Sequence, residues 1–312
     1  MSTQENYKNV RIVLFERDSD VRQAIKSTLS QETFENILAT SGLKTAQASI
    51  FNDSADLVLV DIDHDRKSIC TMMQKIRQNE IGDNPFPVSI AISGNSDYVN
   101  VRQTFNAGFD ILLLKPFSMS TLTQRIYQLM KGRSPFNITS DYIGPDRRQV
   151  SPTKRNQRPV TLVTVPNPLK IRANGEITNV QFQRLIKESI VEVNDQRVLC
   201  HGEKIGDLVG SLVSKYMLEG LDEDFSAELK RLKFICADMD HRLRRSKFAH
   251  VAELGSTLLS VVDRILECPM SPESRDIDLM QNLSSAISRA FMANEKDVKA
   301  AHSISSTVRA IA

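Results

Sequence analysis

Residues 57–63 read LVLVDID. Four apolar residues with no polar alternation describe a short strand buried on both faces, as in a parallel sheet covered by helices on each side. The run stops on Asp61, and a carboxylate at the mouth of a buried strand asks for a purpose. Outward from it, VRIVLF (10–15), NILAT (36–40), VSIAIS (88–93) and ILLLK (111–115) read as further strands. Between them VRQAIKSTLSQ, TAQASIF, ICTMMQKIRQN and VNVRQTFNAG space apolar residues three and four apart, and TLTQRIYQLM follows the last strand. This alternation predicts an α/β fold with a doubly wound, five-stranded parallel sheet. In open sheets of this kind ligands lie outside the carboxyl ends of the strands. Glu16, Arg17, Asp18, Asp61, Ser93 and Lys115 therefore gather at one rim.

The whole chain, at 312 residues, exceeds what a single core usually fills and predicts two domains. Its 41% hydrophobic and 25% charged residues are ordinary for a water-soluble protein, and no apolar run approaches the ~18 residues of a membrane span. The opening MSTQENYKNV lacks the basic then apolar layout of a secretory signal. Cys70, Cys200, Cys236 and Cys268 are scattered without metal-type pairing, so a reducing, cytoplasmic compartment is expected. A net charge of +2 carries no global argument for nucleic acid.

Past the last strand pattern, residues 132–177 carry Pro135, Pro145, Pro152, Pro159, Pro166 and Pro168, spaced so that neither helix nor central strand is expected to persist. The segment reads as a linker. It is basic, with Arg133, Arg147, Arg148, Lys154, Arg155, Arg158, Lys170 and Arg172. Within DYIGPDRRQ, a Gly-Pro turn precedes an arginine pair. Either this is a solvated tether, or Tyr142, Arg147 and Arg148 dock on an acidic partner or on the first domain.

Residues 178–312 hold no strand-like run. VQFQRLIKESIVEVN, KIGDLVGSLVSKYMLEG, SAELKRLKFICADMDHRLRR, AHVAELGSTLLSVVDRILE, DLMQNLSSAISRAFMAN and VKAAHSISSTVRAIA each carry apolar residues at helical spacing and predict an all-α bundle. Leu208, Val209, Leu212, Val213 and Met217 are first of all core, and surplus apolar stripes would serve a protein partner or a homodimer. Arg242, Arg244 and Arg245 could neutralise nucleic-acid phosphates, but Glu228, Asp238 and Asp240 interleave with the basic run. A charged, solvated helix is the simpler account. His241, His250 and His302 lie on candidate helices; His250, in AHVAELGST, is the one that loosely fits a phosphotransfer motif.

An acidic cluster after the first strand, an aspartate ending the third, a hydroxyl ending the fourth (AISG) and a Lys-Pro pair ending the fifth (LLLKPF) together resemble the CheY-like receiver domain of two-component response regulators. Asp61 lies 44 residues beyond Arg17, and Lys115 lies 22 beyond Ser93, as that pattern expects. The resemblance covers roughly residues 9–131 and implies a flavodoxin-like receiver domain over residues 8–131. It makes Asp61 the phospho-acceptor and Ser93 and Lys115 the groups that contact the phosphoryl. It also implies a cis bond before Pro116, Mg2+ held by acids such as Glu16, Asp18 and Asp63, and a sensor histidine kinase or phosphotransfer protein as partner. Chemically, a carboxylate can accept a phosphoryl group where nearby cations neutralise the charge that accumulates during transfer.

Two positions depart from the pattern. Where a second acid usually ligates the ion, this chain has Arg17. Either Arg17 pairs with Asp61 and repels a divalent cation, or it points outward and Asp18 or Asp63 completes the cage. Three residues before the lysine, where an aromatic switch residue is common, stands Leu112. The expected function is signal transduction through protein contacts of the helical domain, without substrate turnover. A phosphorylation-independent pseudo-receiver scaffold and a DNA-binding transcriptional regulator are the alternatives.

Overall fold

The computed structural model describes residues 7–148, 161–175, 177–219 and 221–311, with residues 53, 219 and 293–311 as backbone alone. It divides into two units, Met1–Ile190 and Val191–Ala312. No helix among the described residues is long and apolar enough to cross a membrane.

The first unit is built on five parallel strands, β1 (Arg11–Phe15), β2 (Asn36–Thr40), β3 (Leu57–Asp61), β4 (Val88–Ser93) and β5 (Ile111–Leu114), in the order β2-β1-β3-β4-β5. Helices α1 (Ser19–Gln31), α2 (Leu43–Asp53), α3 (Arg66–Arg77) and α4 (Tyr98–Asn106) make the crossovers, and α5 (Met119–Lys131) follows the last strand. Alternate residues of each strand face opposite sides. Ile12, Leu14, Leu57, Leu59, Ile90 and Ile92 pack with Ile25 and Leu29 of α1 and Leu122 and Ile126 of α5. Val13, Phe15, Val58, Val60 and Ala91 pack with Ile50 of α2 and Ile69, Met73 and Ile76 of α3. Both faces are thus covered, which is why the strands read as unbroken apolar runs.

The segment after α5 differs from its expectation as a tether. Its described residues form an antiparallel sheet of β6 (Phe136–Ile138), β7 (Ile143–Pro145) and β8 (Leu162–Val163), followed by α6 (Pro168–Asn174). The prolines that argued against structure occupy places where a missing N–H is tolerated: Pro145 ends an edge strand and Pro168 opens a helix. Leu169 and Ala173 of α6 join the core on the α1–α5 side of the main sheet. Pro152, Pro159, Lys154, Arg155 and Arg158 lie outside the described residues.

What fixes this extension is buried charge at the amino ends of the strands, opposite the rim that holds Asp61. Asp110 accepts Arg133 through both carboxylate oxygens, at 2.7 and 3.0 Å, and Arg77 Nη2 at 3.1 Å. Arg77 spends its remaining N–H groups on the carbonyls of Gly108, Pro85 and Pro87 and on the Ser89 hydroxyl. The Phe136 ring lies against both guanidiniums, 5.2 Å from Arg77 Cζ and 4.8 Å from Arg133 Cζ. Burial works to raise the Asp110 carboxyl, and the charges of Arg133 and Arg77 overcome it and hold it below the ordinary value. Beside this cluster β7 meets the α4–β5 turn glycine to glycine. A Cβ on Gly144 would come within 2.9 Å of Gly108 Cα, and Gly108 itself adopts φ +89°.

At the same end of the sheet Asp56, fully buried, accepts the Arg11 N–H at 2.9 Å and faces Arg172 of α6 at 3.5 Å, an ion-pair distance without a hydrogen bond. Burial pushes its carboxyl from 3.8 up to about 6. A folded-state value above the unfolded one means that protonated Asp56 supports the fold below the unfolded value, and that this support is lost as pH rises through about 6. The shift corresponds to roughly 3 kcal/mol. Urea unfolding across this pH range should show the wild type losing stability relative to Asp56→Asn as pH rises. A difference independent of pH would contradict the assignment.

The second unit is helical. Helix α7 (Asn179–Ser214) runs into it and closes in a π-helical turn, Lys215–Glu219; α8 (Glu223–Leu243), α9 (Ala252–Glu267) and α10 (Ser274–Ile311) follow. The sequence suggested two helices across α7 and two across α10; each pair is one continuous helix, because neither junction contains a proline to interrupt it. Val198, Ile205 and Leu212 of α7 share a core with Leu229, Leu232 and Met239 of α8, Leu258 and Val262 of α9, and Met280 and Ile287 of α10. Inside that core sits a second buried polar cluster. Asp238 accepts Arg242 Nε at 2.9 Å, meets His201 Nε2 at 2.7 Å and lies 3.4 Å from Arg197 Nε. Arg242, offered above as a phosphate contact, is therefore buried and ion-paired, which removes it from any nucleic-acid surface. Arg244 and Arg245 are exposed beyond the end of α8; His241 is exposed in its last turn, and His250 is exposed on a short 3-10 turn. The side chain of His302 lies outside the described residues.

Candidate functional site

The carboxyl ends of β1, β3, β4 and β5 bring together Glu16, Asp61, Ser93 and Lys115, all but the lysine buried. Lys115 Nζ bridges the two acids, 3.0 Å from Glu16 Oε2 and 3.1 Å from Asp61 Oδ2. The Lys115–Pro116 peptide is cis. The free oxygen of each acid is taken by a backbone donor: Asp18 N–H reaches Glu16 Oε1 at 3.0 Å, and Asp63 N–H reaches Asp61 Oδ1 at 2.9 Å. Burial raises the Glu16 carboxyl, against the pull of the Asp18 N–H and the Lys115 ammonium. Burial would lower the ammonium of Lys115, and the two carboxylates overcome it, keeping it above its ordinary value.

Ser93 stands on the neighbouring strand, where Asp61 pairs with Ile92. Its hydroxyl donates to Asp63 Oδ1 at 2.5 Å, and Gly94 N–H reaches Asp63 Oδ2 at 2.6 Å. These two donors, against the cost of burial, hold the Asp63 carboxyl low. Arg66, from the first turn of α3, closes the group with Nη2 at 3.2 Å from Ser93 Oγ and 3.3 Å from Asp63 Oδ1. His64 Nε2 lies 3.9 Å from Asp61 Oδ2. Neither Arg66 nor His64 was singled out from the sequence. The available signal was Asp65, whose side chain caps α3 by accepting Ser68 N–H and so starts the helix at the rim.

Arg17 is exposed and makes no ion pair among the described residues, so Lys115, not Arg17, is the cation on Asp61. Asp18 is spent as the N-cap of α1, accepting from Asp20 N–H and Val21 N–H, which takes it away from any cage around Asp61. Arg22 donates to the carbonyls of Glu16 and Arg17 at 2.8 and 3.1 Å. Asp63 is committed to Ser93, Gly94 and Arg66. Among the described residues no group of three or more His, Cys, Asp or Glu could hold a metal ion. Magnesium takes one or two carboxylates beside its own waters, and here Glu16, Asp61 and Asp63 are each already held by a cation and a backbone donor while Arg17 follows Glu16, so the donor set does not fit the ion.

Leu112 packs into the core on the α2–α3 side of the sheet. Of the extension residues proposed to dock, Arg147 stacks on the ring of Phe105 with Cζ 3.8 Å from its centroid, and also donates to the Phe109 carbonyl. The Tyr142 hydroxyl donates to the Pro145 carbonyl at 3.0 Å, and Arg148 pairs with Asp146 at 2.7 Å. The arginine pair of GPDRR is thus split: Arg147 turns onto the α4–β5 end of the sheet, Arg148 stays on its own turn.

The family model of the response regulator receiver domain matches residues 12–127. A response regulator from Thermotoga maritima is 21% identical, with a TM-score of 0.35, covering 40% of this chain and 99% of its own. A signal receiver domain from Bermanella marisrubri is 20% identical (TM-score 0.34; 38% and 95% covered), and a CheY-like receiver domain protein from Methanospirillum hungatei is 22% identical (TM-score 0.34; 38% and 91%). No curated protein matches the chain. A receiver domain implies exchange with a histidine kinase or phosphotransfer protein. Through residues 12–127 the chain carries a receiver domain of the response regulator family, the mark of response regulator-like signal transduction, ahead of a helical C-terminal part.

Proposed function

We propose that Asp61 accepts a phosphoryl group from a histidine kinase or phosphotransfer protein, and that the helical unit passes the signal on by contacting another protein. The observation that carries this reading is the Lys115 ammonium held 3.1 Å from a buried Asp61, with the Ser93 hydroxyl on the adjacent strand end. A carboxylate so placed has a fixed positive charge beside it for the anion that forms on transfer. The protein acts in the cytoplasm as a switch and does not turn over a substrate. Incubation of the full chain with a small-molecule phosphodonor, with and without magnesium, should add one phosphoryl group by mass. Asp61→Asn should add none. Uptake that survives in Asp61→Asn would remove Asp61 from the role.

A second reading, a scaffold without phosphate chemistry, is favoured by the way Ser93 is already committed to Asp63 and both oxygens of Asp61 are already occupied. The same measurement separates the two, because a scaffold gains no mass under any condition.

A further inference from the structure

The rim carries a second cation besides Lys115. Lys115 approaches Asp61 from β5, and on the other side Arg66 reaches in from α3 with its side chain only 15% exposed. Arg66 Nη2 is 3.2 Å from Ser93 Oγ and 3.3 Å from the Asp63 carboxylate, while its Nε is buried and has no hydrogen-bond partner. A guanidinium is a planar fork suited to two oxygens of one anion. Here one arm holds the serine that a phosphoryl on Asp61 would meet, and another N–H is unspent beside it. Asp61 and Ser93 end neighbouring strands, which run about 4.8 Å apart, with Asp61 in register with the residue before Ser93. An oxyanion attached to Asp61 and reaching toward Ser93 would enter the space Arg66 covers.

Beside Glu16 stand two cations, Arg17 and Arg22. Arg17 occupies the position after Glu16, Asp18 is held by the α1 cap, and the Arg22 guanidinium rests on the carbonyls of Glu16 and Arg17. Resting on the reading of Asp61 as acceptor, we infer that this site receives a phosphoryl group without a divalent cation, Lys115 and Arg66 together supplying the charge that an ion would otherwise bring. In the transfer an oxygen of Asp61 forms a bond to phosphorus as the donor's phosphorus–nitrogen bond breaks. The nitrogen, protonated in the donor, leaves as a neutral amine. Lys115 and Arg66 contact the oxygens of the group in flight.

The test uses the full chain and phosphoramidate, in chelator and in magnesium, with mass as readout and circular dichroism to check folding. Wild type should be phosphorylated on Asp61 as fast in chelator as in magnesium. Arg66→Ala should slow the reaction in chelator by about tenfold or more, as expected for loss of one charge-bearing donor, and Arg66→Lys should recover part of it. Phosphorylation that requires magnesium, or an Arg66→Ala variant as fast as wild type, overturns the inference while leaving Asp61 as acceptor. No uptake by wild type in either condition removes the acceptor role itself and the inference with it.

Discussion

Asp110→Ala should cost the first unit about 3–5 kcal/mol of stability, because it strands two guanidiniums, Arg77 and Arg133, in an interior with no counter-charge. Arg77 uses five N–H groups and Arg133 places its own on Asp110, Pro87, Phe86 and Pro166, so neither can turn to solvent without breaking several bonds. The loss would be read from the denaturant midpoint of the first unit. Replacing all three charged groups with apolar residues of similar volume should cost less than Asp110→Ala alone, since it also removes the desolvation burden. Acid should imitate the single substitution. The folded carboxyl titrates below its ordinary 3.8, so its contribution is present above that value and is lost as pH falls through the folded one. A loss under about 1 kcal/mol, the range of exposed pairs, would mean that the cluster is hydrated.

Asp238→Ala should be as damaging to the second unit, again by about 3–5 kcal/mol. Asp238 is the common acceptor for Arg197, Arg242 and His201, and Arg197 and His201 are almost wholly buried. Arg242 Nη1 reaches Asn194 only at 3.5 Å, and the Asn194 amide donates to the Arg242 carbonyl at 3.2 Å, so the cluster ties α7 to α8 through one carboxylate. Asp238→Asn should recover part of the loss, because its carbonyl oxygen still accepts while the charge is gone. Loss of helical circular dichroism on thermal melting is the measurement. A Tm equal to that of the wild type would show that the aliphatic core of the unit suffices without Asp238.

Much of the receiver was legible because each of its signals is local. A strand buried on both faces is an apolar run, and a residue at its end is placed at the rim by chain order alone. Glu16, Asp61, Ser93 and Lys115 come together for that reason. Arg17 could not be aimed from sequence: whether it turned inward depended on Asp18, and Asp18 was drawn off by two backbone N–H groups of α1. Arg66 was invisible because the distance a side chain travels back over a loop is not written in its spacing. The extension was misread for a related reason. Its strands are two or three residues long, below what periodicity can register, and Arg133 looked like one member of a basic run. Its acid stands 23 positions earlier, at Asp110, in another element.

The anchoring of that extension also bears on how the chain can be divided for study. A fragment ending at residue 131, where the receiver pattern stops, would leave Arg77 and Asp110 without Arg133, uncover Phe86, and strip Leu169 and Ala173 from the apolar layer against α5. Such a piece would present a raw hydrophobic floor to its neighbours and tend to clump in the tube. A fragment of the first unit should therefore keep β6, β7, β8 and α6.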